Sequence, residues 1–296
     1  MKVRARVTRE QKIMIVLFLA PALLLFTILV AVPSVNAFRY GLKRWDGLGD
    51  AEWAGLGNFA RLFKGNSLFL AALQHNAFLM VVPPLLTLSL ALYFASLLRR
   101  NIPGARLFRV TFFFPNVMSA VAVSLLWILI YSTTDFGIIN GFLRWLGYEP
   151  FAFTQSSTLL YAIVPMMVWG GTGFYMVLFL AAMQNIPDSL YDAARIDGAS
   201  NRHMFRNVTF PLIRDVFTIG LVFAVIAALK IFDAVWVMEN MRPKRESHVI
   251  ATLMYSRVFS EFNVGQGCAI AVVLFLLVLV ATLIIFALRR GERIEY

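Results

Sequence analysis

The sequence predicts an all-α membrane protein with six transmembrane helices. Three observations predict it. Charged residues make up 15% of the 296-residue chain, against about 25% in an average soluble domain. Mean hydropathy is +0.74. Long apolar runs alternate with short polar intervals, and six of the runs reach the roughly 20 residues that a bilayer-crossing helix needs.

The first run covers 13–32 and follows a basic N-terminal stretch. Ala20-Pro21-Ala22 has the look of a cleavage site, but the apolar run is too long for a signal-peptide core, so it reads as a retained span. The interval after it is punctuated by Trp45, Trp53, Phe59, Phe63 and Phe69. Such aromatics fit a segment lying at the membrane interface, or ordinary loop packing. The second run, 76–98, contains Pro83 and Pro84; the third, 110–131, contains Pro115; the fourth, 159–183, contains Pro165. Prolines inside spans predict kinked helices around a central space, because neighbouring groups or cavity water must satisfy the freed carbonyls.

Polar residues in these runs are candidates for a solute path. Asn116, Ser119 and Ser124 follow Pro115 in the third run and serve either helix–helix hydrogen bonding or solute contact. In the fourth, Trp169, Gly170, Gly171, Thr172, Gly173 and Tyr175 form a cluster. The glycines allow close helix approach or the flexing of a gate, and Trp169 and Tyr175 could stack on a sugar ring. Asp135, Asn140 and Glu149 read as solvated residues between these runs. The fifth run, 216–237, carries Lys230 and Asp233, three residues apart and so on one face of a continuous helix. A charge inside a span costs about 2.5–3.5 kcal/mol on insertion scales. The two form a structural ion pair, line a polar pathway, or both. The sixth run, 268–288, is uninterrupted.

The polar interval 184–215 separates the fourth and fifth runs and predicts two short helices. The first has Asp188 as N-cap after Pro187, carries Leu190, Tyr191, Ala193, Ala194 and Ile196, and stops at Gly198 in a left-handed position. The second starts at Ser200 or Asn201, carries Met204, Phe205 and Val208, and ends before Pro211.

Net charge is +11, with Lys and Arg beside the apolar runs rather than in one aromatic-laced stripe, which argues against nucleic acid. Sixteen Lys and Arg fall on the side holding both termini and the 184–215 interval, in short intervals close to the spans, against ten on the other side. The positive-inside rule then puts both termini and that interval in the cytoplasm. Cys268 is the single cysteine, which excludes an internal disulfide and a cysteine metal cluster; His75, His203 and His248 form no metal-ligand spacing. There is no GxxxxGK[ST] phosphate loop, no nucleophile with a nearby base and no carboxylate pair within a span. Transport or signalling is favoured over catalysis.

Tyr191-Asp192-Ala193-Ala194, Ile196-Asp197-Gly198-Ala199 and Phe210-Pro211-Leu212 together resemble the cytoplasmic coupling motif of binding-protein-dependent ABC importer permeases, with Asp192 where the motif usually has Glu. Gly55-Leu56-Gly57-Asn58-Phe59 and Gly137-Ile138-Ile139-Asn140 resemble further segments of that family. Lys230-Ile231-Phe232-Asp233 resembles a segment of its carbohydrate-uptake branch, although Met241-Arg242-Pro243 stands where a Gly-Gly-Pro turn often follows.

The resemblance implies a type I importer permease fold with a cytoplasmic coupling helix. The chain would form one transmembrane permease domain over 1–296, with core spans over 76–288. It implies ATPase coupling through Tyr191, Asp192, Ala193, Ala194, Asp197, Gly198, Met204, Phe205 and Pro211, with Met204 and Phe205 as apolar contacts. The candidate solute path is Asn116, Ser119, Trp169, Gly173, Tyr175, Lys230 and Asp233. Implied partners are a second, similar permease, two ATPase subunits and an extracytoplasmic solute-binding protein. This chain would bind no cofactor of its own; ATP and Mg would sit on the ATPase. The implied setting is a bacterial or archaeal cell membrane, the inner one where there are two, and the implied solute a sugar, an oligosaccharide or a sugar-like polyol phosphate. An ion-coupled secondary transporter is the competing expectation. It would ordinarily show inverted repeats with broken helices, and no such repeat is evident.

Overall fold

The computed structural model describes residues 8–64, 67–99 and 103–289. Its helices are α1 (Arg9–Phe26), α2 (Val32–Gly41), α3 (Gly57–Leu62), α4 (Leu68–Leu98), α5 (Ala105–Val117), α6 (Ala120–Ile130), α7 (Ile138–Trp145), α8 (Leu159–Gln184), α9 (Asp188–Ile196), α10 (Asn201–Met204), α11 (Phe210–Leu229), α12 (Asp233–Met238), α13 (Ile250–Tyr255) and α14 (Val264–Leu288). A two-residue hairpin, β1 (Lys43–Arg44) with β2 (Glu52–Trp53), pairs antiparallel with Lys43 opposite Trp53. Among the described residues five helical runs are long and apolar enough to cross a membrane, and a bent pair makes a sixth. The fold is therefore the expected all-α membrane architecture with one minor β element.

The chain divides into two compact units. The smaller holds residues up to Arg61 together with Met254–Val273. In it α1 and α2 join through a π turn at Thr27–Ala31 into one 33-residue helical run, longer at both ends than the 13–32 expectation. Thr8 caps it in a reciprocal box with Gln11. Asn58, fully buried, donates to the carbonyls of Gly41 and Lys43 at 2.8 Å and accepts from the Arg61 guanidinium at 2.6 Å. It fastens α3 under the hairpin. Asp46 accepts from the N–H groups of Leu48 and Gly49 in the hairpin loop, and these bonds hold its carboxyl below the ordinary value. The aromatics of this segment have mixed roles. Trp45 stacks on Tyr40 and donates to the Gly49 carbonyl, whereas Trp53 is 72% exposed.

The larger unit, Leu62–Leu253 with Leu274–Tyr296, is built on α4 and α8 packed along each other. α4 begins at Leu68, eight residues before the expected start, because Ser67 caps it by accepting from the Leu70 N–H. It runs unbroken through Pro83 and Pro84. At 26 residues α8 is about 39 Å long, enough to cross a hydrocarbon core of about 30 Å. Two apolar clusters sit on opposite halves of α8. One gathers Leu159, Ile163 and Met166 with Trp127, Val235 and Met238; the other gathers Met176, Phe179 and Met183 with Ala91, Leu98, Tyr191 and Ile213.

Two expected spans are not single helices. The third bends by 102° between α5 and α6. Met118 and Ser119 are extended there, and the Ser119 hydroxyl caps α6 by accepting from the Ala122 N–H. A serine able to cap the helix after it offers the backbone an alternative to continuing the helix before it. The fifth begins at Phe210, is interrupted after Leu229 and resumes at Asp233. Pro211 does not end the preceding helix, contrary to expectation. A π turn at Phe205–Thr209 resets the register, so the proline falls in the first turn of α11, where its missing N–H costs nothing.

Candidate functional site

The 184–215 interval is an anchored helix with one face left open. Pro187, not Asp188, occupies the cap position of α9, and Asp188 stands in the first turn, where the helix dipole favours an acid. The Asp188 carboxylate accepts from the Arg99 guanidinium at 3.0 Å. The same guanidinium lies 3.6 Å over the centre of the Tyr191 ring, a cation–π contact. The Tyr191 and Thr209 hydroxyls share a hydrogen bond of 2.9 Å. Tyr191 is thus held from above by the end of α4 and from below by the π turn that leads into α11.

Gly198 ends α9 as its turn chemistry predicts. Its φ is +74°, its N–H bonds to the Arg195 carbonyl, and the Ala199 N–H reaches the Ala194 carbonyl. This is the Schellman arrangement. No atom lies within 4 Å of where a Cβ would stand, so the backbone angle, not space, calls for glycine. Ser200 then caps α10 by accepting from the His203 N–H.

The structure divides the expected coupling residues into two sets. Tyr191 and Met204 are buried at 4% and 8% exposure and belong to the apolar cluster around Met183 and Leu98. Phe205 is half-buried and tilts against Phe210; Ala194 and Pro211 are also half-buried. Met204 therefore fixes the segment to its own chain rather than presenting an apolar contact, because the short helices turn it toward α8. Asp192, Ala193, Asp197 and Gly198 are exposed, as are Arg195 and Ile196, the last at 87%. Asp192 pairs with Arg195 at 2.7 Å one turn along the same helix. Both are more than 60% exposed, where such pairs contribute little to stability.

The expected path residues do not converge. Asn116 and Tyr175 line one cavity of about 190 Å³ with Pro83, Pro84, Thr87 and Phe174. Ser119 is spent on capping α6. Ser124 is buried and donates to the Ala120 carbonyl of its own helix. Trp169 is 38% exposed and meets Trp127 edge to face, 6.1 Å between ring centres, outside that cavity. A Cβ at Gly173 would overlap the Phe112 carbonyl, so this glycine serves the close approach of α5 to α8. Lys230 closes α11 and Asp233 opens α12 after a non-helical Phe232, so they share no helical face; both are exposed and no ion pair joins them.

Two residues with larger roles escaped the sequence. Asn76, fully buried, donates to the Leu229 carbonyl at 3.1 Å and accepts from the Ile250 N–H at 2.7 Å. It holds the interruption at 230–232 open from a distance of more than 150 residues in the chain. Asn140, read as solvated, is fully buried and donates to the carbonyls of Tyr131 and Ser132 while accepting from the Phe151 N–H. The residue type alone marks neither asparagine as a buried partner of backbone groups.

Comparison with known proteins places this arrangement. Residues 87–294 match the family model described as binding-protein-dependent transport system inner membrane component. The chain is 33% identical to the diacetylchitobiose uptake system permease protein NgcF of Streptomyces coelicolor, over 97% of this chain and 85% of that protein. It is 31% identical to the osmoprotective compounds uptake permease protein GgtC of a Synechocystis species, over 88% of this chain and 94% of the relative. In fold it superposes on a chain of a bacterial ABC transporter involved in the import of the acidic polysaccharide alginate, with TM-score 0.82 and 21% identity, covering 97% of this chain and 98% of that one. The chain belongs to the inner membrane components of binding-protein-dependent transport systems, and it is a transport permease with the type I importer fold.

Proposed function

We propose that this permease forms half of the translocation pathway of an ATP-driven importer for a sugar or oligosaccharide, and that α9 docks on a separate ATPase subunit. The observation that carries the reading is the division of α9. Tyr191 binds the helix to its own chain, as Met204 does for the adjoining α10, while Asp192, Ala193, Ile196 and Asp197 are left open on the other side. A small alanine beside an 87% exposed isoleucine is a poor surface for water and a good one for a groove in another protein. The chain contains no phosphate loop of its own, which gives such docking a purpose.

In this reading α9 and both termini face the cytoplasm, in line with the excess of Lys and Arg on that side. A second, similar permease completes the pathway, and a solute-binding protein delivers the carbohydrate from outside. ATP and Mg bind to the ATPase pair. Its closure pushes α9, and the Arg99 and Thr209 contacts pass the push to α4 and α11. The name of the relative that takes up diacetylchitobiose supports a carbohydrate solute.

Co-purification tests the docking. The full chain, solubilised with a tagged ATPase, is expected to come through affinity capture, and Ile196→Asp is expected to be lost from it while keeping its own thermal stability. Retention of the Ile196→Asp chain on the ATPase would show that α9 is not the docking face.

A further inference from the structure

α7, between the bent third span and α8, exposes a stripe for which the transport mechanism has no use. Ile138 is 69% exposed, Phe142 57% and Trp145 77%. Their spacing of four and three residues puts them on one side of the helix. The Phe142 and Trp145 rings stack 5.7 Å apart on that side. On the other side, Asn140 is fully buried. Arg144, the helix's one charged residue, is folded back to donate to the carbonyls of Thr133 and Thr134 at 3.0 Å. Nothing on the stripe carries charge.

The depth of α7 is fixed by its own bonds. Asn140 grips the carbonyls of Tyr131 and Ser132, the first residues beyond α6. The Tyr131 hydroxyl donates to the Ala162 carbonyl in the first turn of α8. The helix is therefore tied level with the start of a bilayer-crossing span, where hydrocarbon gives way to headgroups.

We propose that α7 is an interfacial helix, lying in the bilayer surface with Ile138, Phe142 and Trp145 among the acyl chains. A short helix with a strong apolar side, a tryptophan and a charge turned away from that side suits this layer. A soluble protein partner would be met by an uncharged stripe that offers nothing to steer or orient it. α9 follows the opposite end of α8, so this anchor holds the far side of the permease while α9 moves.

Spin labelling tests the proposal. In a Cys268→Ser background, nitroxides are attached through Ile138→Cys, Phe142→Cys and Trp145→Cys, singly, with Glu149→Cys as the solvated comparison. The full-length protein is reconstituted in lipid nanodiscs, alone and with its partner subunits. The expected result is that collisions with molecular oxygen exceed those with a water-soluble nickel chelate several-fold at all three stripe positions, and that the ratio inverts at 149. Dominant nickel collisions at the stripe would overturn the proposal in favour of water, and suppression of both quenchers in the assembled complex would overturn it in favour of a protein neighbour. A second measurement leaves the stripe nearly intact: lipids brominated near the headgroup should quench the wild-type protein more than Trp145→Phe, and equal fractional quenching would contradict bilayer contact.

Discussion

Asn76 and Asn140 do at two places what no helix can do for itself. Each satisfies backbone groups that a break in helical bonding leaves bare inside an apolar interior. Leaving a buried donor or acceptor without a partner costs about 1–3 kcal/mol. Asn76→Ala removes the partner of the Leu229 carbonyl and of the Ile250 N–H, so it is expected to lose about 2 kcal/mol or more in stability, read as a shift of the denaturant unfolding midpoint in detergent. An unchanged midpoint would mean that water or relaxation replaces it. The glycines give a matched pair. Gly173→Ala must push the Phe112 carbonyl aside and is expected to cost about 1–3 kcal/mol, while Gly170→Ala, with open space at its Cβ, is expected to be near neutral. The same unfolding assay separates them. Turn chemistry at this scale was readable: Gly198 stands at φ +74° and Ser200 caps the next helix, as their residue types predict. The two asparagines were not readable: the partners of Asn76 lie up to 174 positions away, and those of Asn140 are set by how the loops on either side of α7 fold back on it.

At the scale of elements, the length of an apolar run was the reliable signal. The fourth and sixth spans agree with α8 and α14 to within a few residues at each end. The third misled in place and degree: Pro115 announces a kink, but the chain turns by 102° three residues later, at Met118 and Ser119, where Ser119 starts a new helix. The fifth misled for a related reason: Lys230 and Asp233 were placed on one face of a helix that Asn76 interrupts between them. The link from α9 to α4 was hidden too, since Arg99 reads from sequence as one more charge flanking a span. Its contact with Tyr191 makes a prediction. Arg99→Ala is expected to leave ATPase binding in place and to lower the transport achieved per ATP hydrolysed, because α9 then moves without drawing α4 along. Equal ratios in mutant and wild type would assign Arg99 to stability alone. Gly198→Ala forces a side chain into the left-handed region, at about 1–2 kcal/mol, and is expected to loosen α9 while leaving the apolar spans inserted; protease accessibility of the loop reads this out.

At the scale of the whole molecule, the larger unit offers α7 at one end of the α8 span and α9 at the other. The first is tied to the start of α8 through Tyr131 and Asn140; the second is clamped to α4 and α11 through Tyr191. A force applied at α9 therefore reaches both α4 and α11, and with them the cavity that holds Asn116 and Tyr175 between α4, α5, α8 and α11. This is the arrangement a permease needs if its energy comes from outside its own chain. An ion-coupled carrier would need no such external lever. The decisive measurement is uptake of a labelled oligosaccharide into proteoliposomes holding the permease pair, the ATPase and the loaded solute-binding protein. The account predicts uptake that requires ATP, with hydrolysis stimulated by the loaded binding protein and both lost in Gly198→Pro. Uptake driven by an ion gradient without ATP, or wild-type uptake by Gly198→Pro, would contradict it.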